Sequence, residues 1–170
     1  FEEDEHPKAT SLEALAGLKT VFQKDGTVTA GNSSGINDGA GALVLARADA
    51  AQRAGLAPRA RIVGYAVAGV RPEVMGIGPV PATEKALAHA GLRIEDIGLF
   101  ELNEAFAVQV LAFLDHFGID DDDPRVNQYG GAIALGHPLA SSGVRLMTQL
   151  AQSFADQGPL FGRLPQQRQQ

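Results

Sequence analysis

The order of apolar and polar positions along the chain predicts five helices. The strongest pattern covers residues 103–118, where apolar side chains return at helical spacing and a glycine follows as a stop signal. A second strong pattern covers residues 141–158, and shorter helices are expected at 10–22, 49–55 and 83–91. The apolar face of the strongest helix is expected to consist of Ala105, Val108, Leu111 and Leu114.

Short apolar runs between these helices predict strands, at residues 43–46 and 61–70 and within 94–102 and 126–135. Strands that alternate with helices indicate an α/β fold. The stretch LAPRA, at residues 56–60, is the best candidate for a boundary between two parts of the chain.

Charge and composition narrow the classes of function. The net charge is −6 and there is no basic cluster, which disfavours nucleic-acid binding. No apolar run approaches the ~18 residues of a membrane-spanning helix, so no membrane association is expected. The acidic run at 120–123 lacks the spaced ligands, central glycine and closing glutamate of a helix-loop-helix calcium site, and it predicts a solvated loop. Cysteine is absent, which excludes disulfides and thiolate chemistry within these residues.

Four loops combine glycine with polar residues where predicted strands end: GNSSGINDG, MGIGP, ELNEAF and GGAIALGHP. Ligands gather at strand ends in α/β proteins, so the pattern suggests one site built from several loops. None of these loops matches a dinucleotide fingerprint or a phosphate loop with its lysine. The four histidines lie far apart in the sequence without an HExxH pair, so no metal site is predicted.

His137 and Asn103 each allow two interpretations. His137 is either a histidine in a turn or an imidazole that both a substrate and another residue can reach. Asn103 is either the N-cap of the helix that follows or an amide that orients a water or a carbonyl in a pocket. Glu104, next to it, would suit a helix N-terminus in either case.

In four stretches, taken in order, the sequence resembles the thiolases, the family of acetyl-CoA acetyltransferases and 3-ketoacyl-CoA thiolases. The stretches are GTVTAGNSSGINDGAGA, MGIGPVPA, ELNEAFA and NQYGGAIALGHPLASSGVR. The resemblance implies a thiolase-like α/β fold with a mixed sheet layered with helices, present as one half-fold plus the end of the preceding half. It implies the end of the N-terminal domain at 1–46, a connecting helix and linker at 47–58, an incomplete C-terminal domain at 59–158 and an atypical tail at 159–170.

The resemblance also implies a reaction. Thiolases make or break a carbon–carbon bond beside a CoA thioester, by Claisen condensation or by thiolysis of 3-ketoacyl-CoA or acetoacetyl-CoA. One cysteine takes the acyl group, and a second moves the proton at the α-carbon. The histidine of the GHP motif matches His137, which would activate the thiol and stabilise the oxyanion. The asparagine of the NEAF motif matches Asn103, which would hold a water in the oxyanion hole.

Coenzyme A or acyl-CoA is the substrate that the resemblance implies, and no covalently bound cofactor is expected. Ser34 would hydrogen-bond the pantetheine arm, and loops without side chains would let the backbone approach the arm closely. The positions matched along the arm are Ala30, Ser34 and Ala105. The positions matched at the acyl pocket are Met75, Phe106 and Gly136.

The sequence departs from the family because both cysteines are missing. The nucleophile would precede Phe1, and GPLFGRLPQQRQQ stands after residue 157 in place of the CxGxG segment that carries the second cysteine. These absences predict a truncated or frame-shifted product or an excised fragment, with any N-terminal targeting signal out of view. A homodimer or homotetramer is expected from the family, and a cytoplasmic location is expected because the absence of cysteine is compatible with a reducing compartment.

A second interpretation is therefore kept beside the enzymatic one. The chain would then be a catalytically inactive thiolase-like module that at most binds acyl-CoA or a partner chain. A ketoacyl synthase typically pairs two histidines with one cysteine, and the NEAFA motif disfavours that relative.

Overall fold

A computed structural model of the chain describes residues 2–157, and the regular elements in that range are helices. The α-helices are α1 (Leu12–Ala16), α2 (Ala48–Arg53), α3 (Pro79–Ala90), α4 (Ala107–Phe117), α5 (Ala132–Leu135) and α6 (Ser142–Gln157). Two 3-10 turns cover Pro72–Ile77 and Ile94–Asp96. In this part of the chain, every helix is too short or too polar to cross a membrane. The expected tail at 159–170 lies outside the described residues.

The strongest predicted helix forms, but it begins four residues later than expected. Helix α4 starts at Ala107 and ends at Phe117, and its C-cap is Gly118, whose φ of 64° glycine adopts without strain. Its buried side chains are Phe113 and Leu114, whereas two residues of the expected apolar face, Val108 and Leu111, are 56% and 47% exposed. The predicted face was therefore wrong in part, because helical spacing does not determine which side of a largely apolar helix meets the core.

Helix α1 is much shorter than the pattern at 10–22 predicted. Its N-cap is Ser11, whose hydroxyl accepts a hydrogen bond from the backbone N–H of Ala14. The helix ends at Gly17, and a turn between Thr20 and Thr29 replaces the rest of the expected helix.

The described residues divide into two units. The first combines residues 2–41 with 101–146, and the second combines 42–100 with 147–157. The buried apolar residues of the first unit are Phe113, Leu114, Ile119 and Ala132. Those of the second unit are Ala51, Val80 and Phe100.

The strands predicted at 43–46 and 61–70 do not form within residues 2–157. Isolated bridges occur instead, and in the first unit they join Thr20 to Thr29, Ser33 to Phe106 and Ile36 to His137. A strand exists only as half of a hydrogen-bonded ladder, so an apolar run needs a partner segment as well as the right residues. No described segment pairs with either of these two runs to form a ladder of backbone hydrogen bonds.

The unpaired run at 61–70 has a consequence for behaviour in solution. Ile62, Tyr65 and Val67 are 57%, 83% and 85% exposed. Apolar side chains on an unpaired edge favour pairing with another chain, so we expect the isolated protein to self-associate.

Light scattering coupled to size-exclusion chromatography, over a range of protein concentrations, measures this self-association. Val67→Lys should weaken the association, whereas Leu12→Lys, at an equally exposed site on α1, should not; a monomer with a sharp cooperative melt would contradict the prediction.

The acidic run at 120–123 is not wholly solvated, because Asp123 forms an ion pair with Arg125. The guanidinium group donates at 2.7 Å from Nη2 and at 3.0 Å from Nε, and the backbone N–H of Arg125 donates at 2.9 Å. Hydrogen bonds from the Arg125 side chain and backbone lower the pKa of Asp123 below its ordinary value. The expected solvated loop is therefore anchored at its last acid.

This ion pair predicts a pH dependence of stability. Because the folded-state pKa of Asp123 is lowered, the pair stabilises the fold above the unfolded-state pKa, and the stabilisation is lost as the pH falls through the folded-state pKa. Arg125→Ala should lower the free energy of unfolding at neutral pH by less than about 1 kcal/mol, because solvent screens the pair. Urea unfolding at low protein concentration should show the deficit shrinking in acid, and a deficit independent of pH would contradict the assignment.

Candidate active site

Three of the four glycine-rich loops meet in the first unit. Segment 32–37 lies between the NEAF loop and the GHP loop and is joined to both by backbone hydrogen bonds. The N–H of Ser34 donates to the carbonyl of Ala105 at 3.0 Å, and the N–H of Ala107 donates to the carbonyl of Asn32 at 2.9 Å. The N–H of His137 donates to the carbonyl of Gly35 at 3.1 Å. The fourth loop, MGIGP, lies in the second unit.

Asn103 points its amide at His137. The Nδ2 atom of Asn103 lies 3.3 Å from Nε2 of His137, while Oδ1 is buried without a hydrogen-bond partner among the described residues. The backbone carbonyl of Asn103 accepts from the N–H of Ala132 at 2.9 Å, which fixes the base of the side chain. The N-cap interpretation of Asn103 is wrong, because α4 begins at Ala107 and Phe106 occupies the N-cap position.

The imidazole of His137 is held at both ring nitrogens. Nδ1 lies 2.7 Å from the hydroxyl of Ser142, a buried residue whose Oγ also lies 3.2 Å from the carbonyl of Pro138. The NH2 group of Asn103 only donates, so Nε2 of the neutral ring accepts, and Nδ1–H donates to the Ser142 hydroxyl. Nε2 then carries a lone pair that faces Asn103. Sequence reasoning missed Ser142, although it follows the histidine by five residues.

Glu104 does not serve a helix N-terminus, and that expectation was wrong. Its φ is 57°, in the left-handed region that costs a non-glycine residue roughly 1 kcal/mol or more. The carboxylate accepts from Nδ2 of Asn127 at 2.5 Å and from the N–H of Ile133 at 3.4 Å. A Cβ on Gly131 would overlap the Glu104 side chain. The strained residue beside Asn103 is therefore braced by the loop that leads to the histidine.

Asn127 completes this brace. Its φ is 44°, and its Oδ1 accepts from the backbone N–H of Leu102 at 2.7 Å. Asparagine tolerates the left-handed region better than most residues, so an asparagine before QYGG was a signal for a tight turn. Its contact with Leu102 spans 25 residues, and no local pattern predicts it.

The residues expected to meet coenzyme A fall into two places. Ser34 and Ala105 are joined by a backbone hydrogen bond, and Ala30 lies two residues before segment 32–37. The ring of Phe106 meets Phe22 edge-on with centroids 6.0 Å apart. Met75 lies in the 3-10 turn of the second unit and is 71% exposed. The structure thus brings all of them except Met75 into the first unit.

Gly136 has a clear steric reason to be glycine. It is buried, its φ is 91°, and a Cβ there would lie 2.6 Å from Cγ of Asn37. The glycines of this loop predicted that its backbone passes close to another group. At Gly136 that group is the side chain of Asn37.

A histidine ring and an asparagine amide that lie 3.3 Å apart are groups that can donate hydrogen bonds to a developing oxyanion. Within residues 2–157, no three histidine or acidic side chains come together as a metal site would require. The chemistry that this arrangement supports is proton transfer and hydrogen bonding at a carbonyl-type oxygen.

Comparison with known proteins identifies the class more closely. The family model for the thiolase C-terminal domain matches residues 56–163, and the model for the thiolase N-terminal domain matches residues 1–49. The chain therefore belongs to the thiolase family, as the four motifs indicated.

Individual relatives agree with this assignment. The 3-oxoadipyl-CoA/3-oxo-5,6-dehydrosuberyl-CoA thiolase of Escherichia coli K12 is 57% identical over 147 residues, which are 86% of this chain and 37% of that protein. The acetyl-CoA acetyltransferase of the same strain is 54% identical over 163 residues, which are 95% of this chain and 41% of the relative. The chain thus spans about two fifths of the length of these relatives.

Solved structures confirm the predicted fold class. Human mitochondrial 3-ketoacyl-CoA thiolase in complex with CoA superposes with a TM-score of 0.86 and 51% identity, over 91% of this chain and 39% of that one. The acetyl-CoA acetyltransferase of Bacillus anthracis also gives a TM-score of 0.86, with 48% identity. The chain follows the path of the thiolase α/β fold even where its own segments form no ladder.

Proposed function

We propose that this chain supplies the histidine and asparagine of a thiolase active site. The whole enzyme would catalyse Claisen condensation or thiolysis of 3-ketoacyl-CoA or acetoacetyl-CoA through an acyl-cysteine. The observation that carries the proposal is the 3.3 Å contact between Asn103 Nδ2 and His137 Nε2. The reactive thiols belong to residues outside the 170, because these contain no cysteine.

The hydrogen-bond pattern around His137 suits two successive roles. With Nδ1–H bonded to Ser142, the lone pair on Nε2 accepts the proton of a thiol that approaches from the Asn103 side. The ring is then protonated at Nε2, and that N–H donates to the oxygen of the thioester as it becomes an oxyanion. One nitrogen therefore acts first as base and then as oxyanion donor.

Asn103 has an atom available for a water in the same place. A buried acceptor needs a donor, and Oδ1 of Asn103 finds none among the described residues. A water that donates to Oδ1 would direct its second hydrogen at the thioester oxygen. This supports the role that the NEAF asparagine has in the family.

The binding of coenzyme A is proposed on the same family relation. Segment 32–37 would contact the pantetheine arm through Ser34, with Ala30 and Ala105 along the arm; Met75, Phe106 and Gly136 are assigned to the acyl pocket. The solved complex of human mitochondrial 3-ketoacyl-CoA thiolase with CoA supports acyl-CoA as the ligand class.

The domain assignment is also a proposal. The N-terminal domain would end near residue 46 and the C-terminal domain would begin near 59, and the gap between the matched family regions, at 50–55, supports a linker there. A homodimer or homotetramer is proposed from the family, and a cytoplasmic location is proposed because the absence of cysteine is compatible with a reducing compartment.

The second candidate function is an inactive thiolase-like module that binds acyl-CoA or a partner chain. The absence of cysteine favours it for the 170 residues taken alone. The two candidates concern different molecules, namely the whole enzyme and this chain by itself.

One pair of assays tests the proposal. The purified chain should show no thiolysis of acetoacetyl-CoA, because it has no nucleophile. A chimera in which residues 1–157 replace the matching segment of the E. coli acetyl-CoA acetyltransferase, here called the chimera, should be active, because that segment would regain its thiols. Turnover by the chain alone would contradict the assignment of the nucleophile, and a folded, CoA-binding but inactive chimera would contradict the proposed role of the segment. The unmodified E. coli enzyme is the control.

A further inference from the structure

His6 is held at both ring nitrogens, far in sequence from any motif. Its Nε2 lies 2.9 Å from the backbone carbonyl of Ile133, and its Nδ1 lies 3.4 Å from Nδ2 of Asn37. A carbonyl oxygen only accepts, so Nε2 carries the hydrogen of the neutral ring and Nδ1 presents a lone pair. The contact with Ile133 therefore selects one tautomer of His6.

Asn37 connects the ring of His6 to the backbone of His137. The lone pair of His6 binds the NH2 group of Asn37, which turns Oδ1 to the opposite side of the amide. There Oδ1 accepts from the backbone N–H of His137 at 3.1 Å, sharing that hydrogen with the carbonyl of Gly35. If Asn37 turned over, its NH2 group would face that N–H, donor against donor. Gly136 leaves the space in which Asn37 sits.

We propose that His6 and Asn37 are positioning residues for His137, on the basis of the proposed role of His137 as the reactive imidazole. The tautomer of His6 sets the orientation of the Asn37 amide. The amide holds the peptide from which the imidazole extends toward Asn103 and Ser142. Neither His6 nor Asn37 contacts the reacting atoms, so both act through His137.

Only the neutral form of His6 fits this arrangement. In the imidazolium form, Nδ1–H would meet the NH2 group of Asn37, and the amide would have to turn over. Two carboxylates bind the backbone of the residues in this arrangement. Asp4 accepts from the N–H of His6 at 3.0 Å, and Glu104 accepts from the N–H of Ile133.

Two substitutions of His6 separate its two hydrogen bonds. His6→Asn keeps a side-chain acceptor where Nδ1 stands, whereas His6→Gln keeps a donor where Nε2 stands and loses the acceptor for Asn37. Amide hydrogen exchange of the chain, read at single-residue level by mass spectrometry, reports the His137 N–H. We expect His6→Gln to speed its exchange by about threefold to tenfold, the scale of one net hydrogen bond, and His6→Asn to change it less than twofold. Equal effects of the two variants, or no effect of either, would overturn the proposal.

A substitution of Asn37 tests the proposed link between the Asn37 amide and the tautomer of His6 by a spectroscopic measurement. Asn37→Asp keeps an acceptor for the His137 N–H but sets a carboxylate oxygen against Nδ1 of His6, so a hydrogen should appear on Nδ1. Magic-angle-spinning NMR of sedimented, 15N-histidine-labelled chain distinguishes a ring with a hydrogen on Nδ1 from the Nε2–H tautomer expected in the unsubstituted chain, and it tolerates self-association. A ring without a hydrogen on Nδ1 in Asn37→Asp, or an Nδ1–H tautomer in the unsubstituted chain, would overturn the proposal even if His6→Gln fails to fold. Both readouts are independent of catalysis, so they stand apart from the activity of the chimera.

Discussion

Replacing His137 with alanine in the chimera should lower kcat for acetoacetyl-CoA thiolysis by at least about 100-fold, the usual scale for losing an acid–base or oxyanion group. The substitution removes both Nε2, which faces Asn103, and Nδ1, which is bonded to Ser142. The thiol would lose its base, and the thioester oxygen would lose a donor. Steady-state kinetics with separate determination of kcat and KM measures the effect.

A matched histidine controls for the loss of an imidazole as such. His89→Ala, in the last turn of α3, should leave kcat within about twofold of the chimera, as expected of an exposed position with no assigned role. A thiol-labelling rate that falls in His137→Ala but not in His89→Ala would locate the defect in thiol activation. An unchanged kcat in His137→Ala would contradict the catalytic role proposed for this residue.

Replacing Gly136 with alanine should damage both stability and catalysis. Alanine at a φ of 91° is strained, and its Cβ would lie 2.6 Å from Asn37 Cγ. We expect a loss of about 2–4 kcal/mol in the free energy of unfolding, from backbone strain and the displaced hydrogen bond together. Because the shift would also move the adjacent His137, kcat of the chimera should fall by about tenfold to 100-fold.

Gly143 provides the control for a glycine in the same stretch of chain. It lies in α6, its φ is not positive, and a Cβ there would have no neighbour within 4 Å. Gly143→Ala should therefore leave kcat unchanged and stabilise the helix by up to about 1 kcal/mol. Thermal melting and kinetics of both variants in the chimera test the pair. Equal behaviour of the two variants would show that the space at Gly136 has no special importance.

The sequence predicted the family and the fold class because these depend on short motifs in a fixed order, and three of the four loops predicted for one site lie in the first unit. The resemblance assigned Asn103 and His137 to one oxyanion hole, and in the structure their side chains lie 3.3 Å apart. Whether Asn103 is the N-cap depends on the residue at which α4 begins. Helical spacing does not define that residue, and the structure places it at Ala107.

The residues that hold the site in place were not predictable in the same way. His6, Asn37 and Glu104 act through contacts that span 127, 100 and 29 residues. Such pairings leave no periodic trace in a single sequence. The predicted strands failed for a related reason: β propensity is visible locally, whereas a ladder requires a second segment.

The division of the chain also affects how it is synthesised. Residues 2–41 find their partners in 101–146, so 59 intervening residues, 42–100, must leave the ribosome first. At translation rates of about 5–20 residues per second, this interval lasts about 3–12 s. During that time the segment that carries His6 and Asn37 can form its local contacts, such as the one between these two side chains, but it lacks those with residues 101–146. The contacts of His6 with Ile133 and of Asn37 with His137 can therefore form only after this interval.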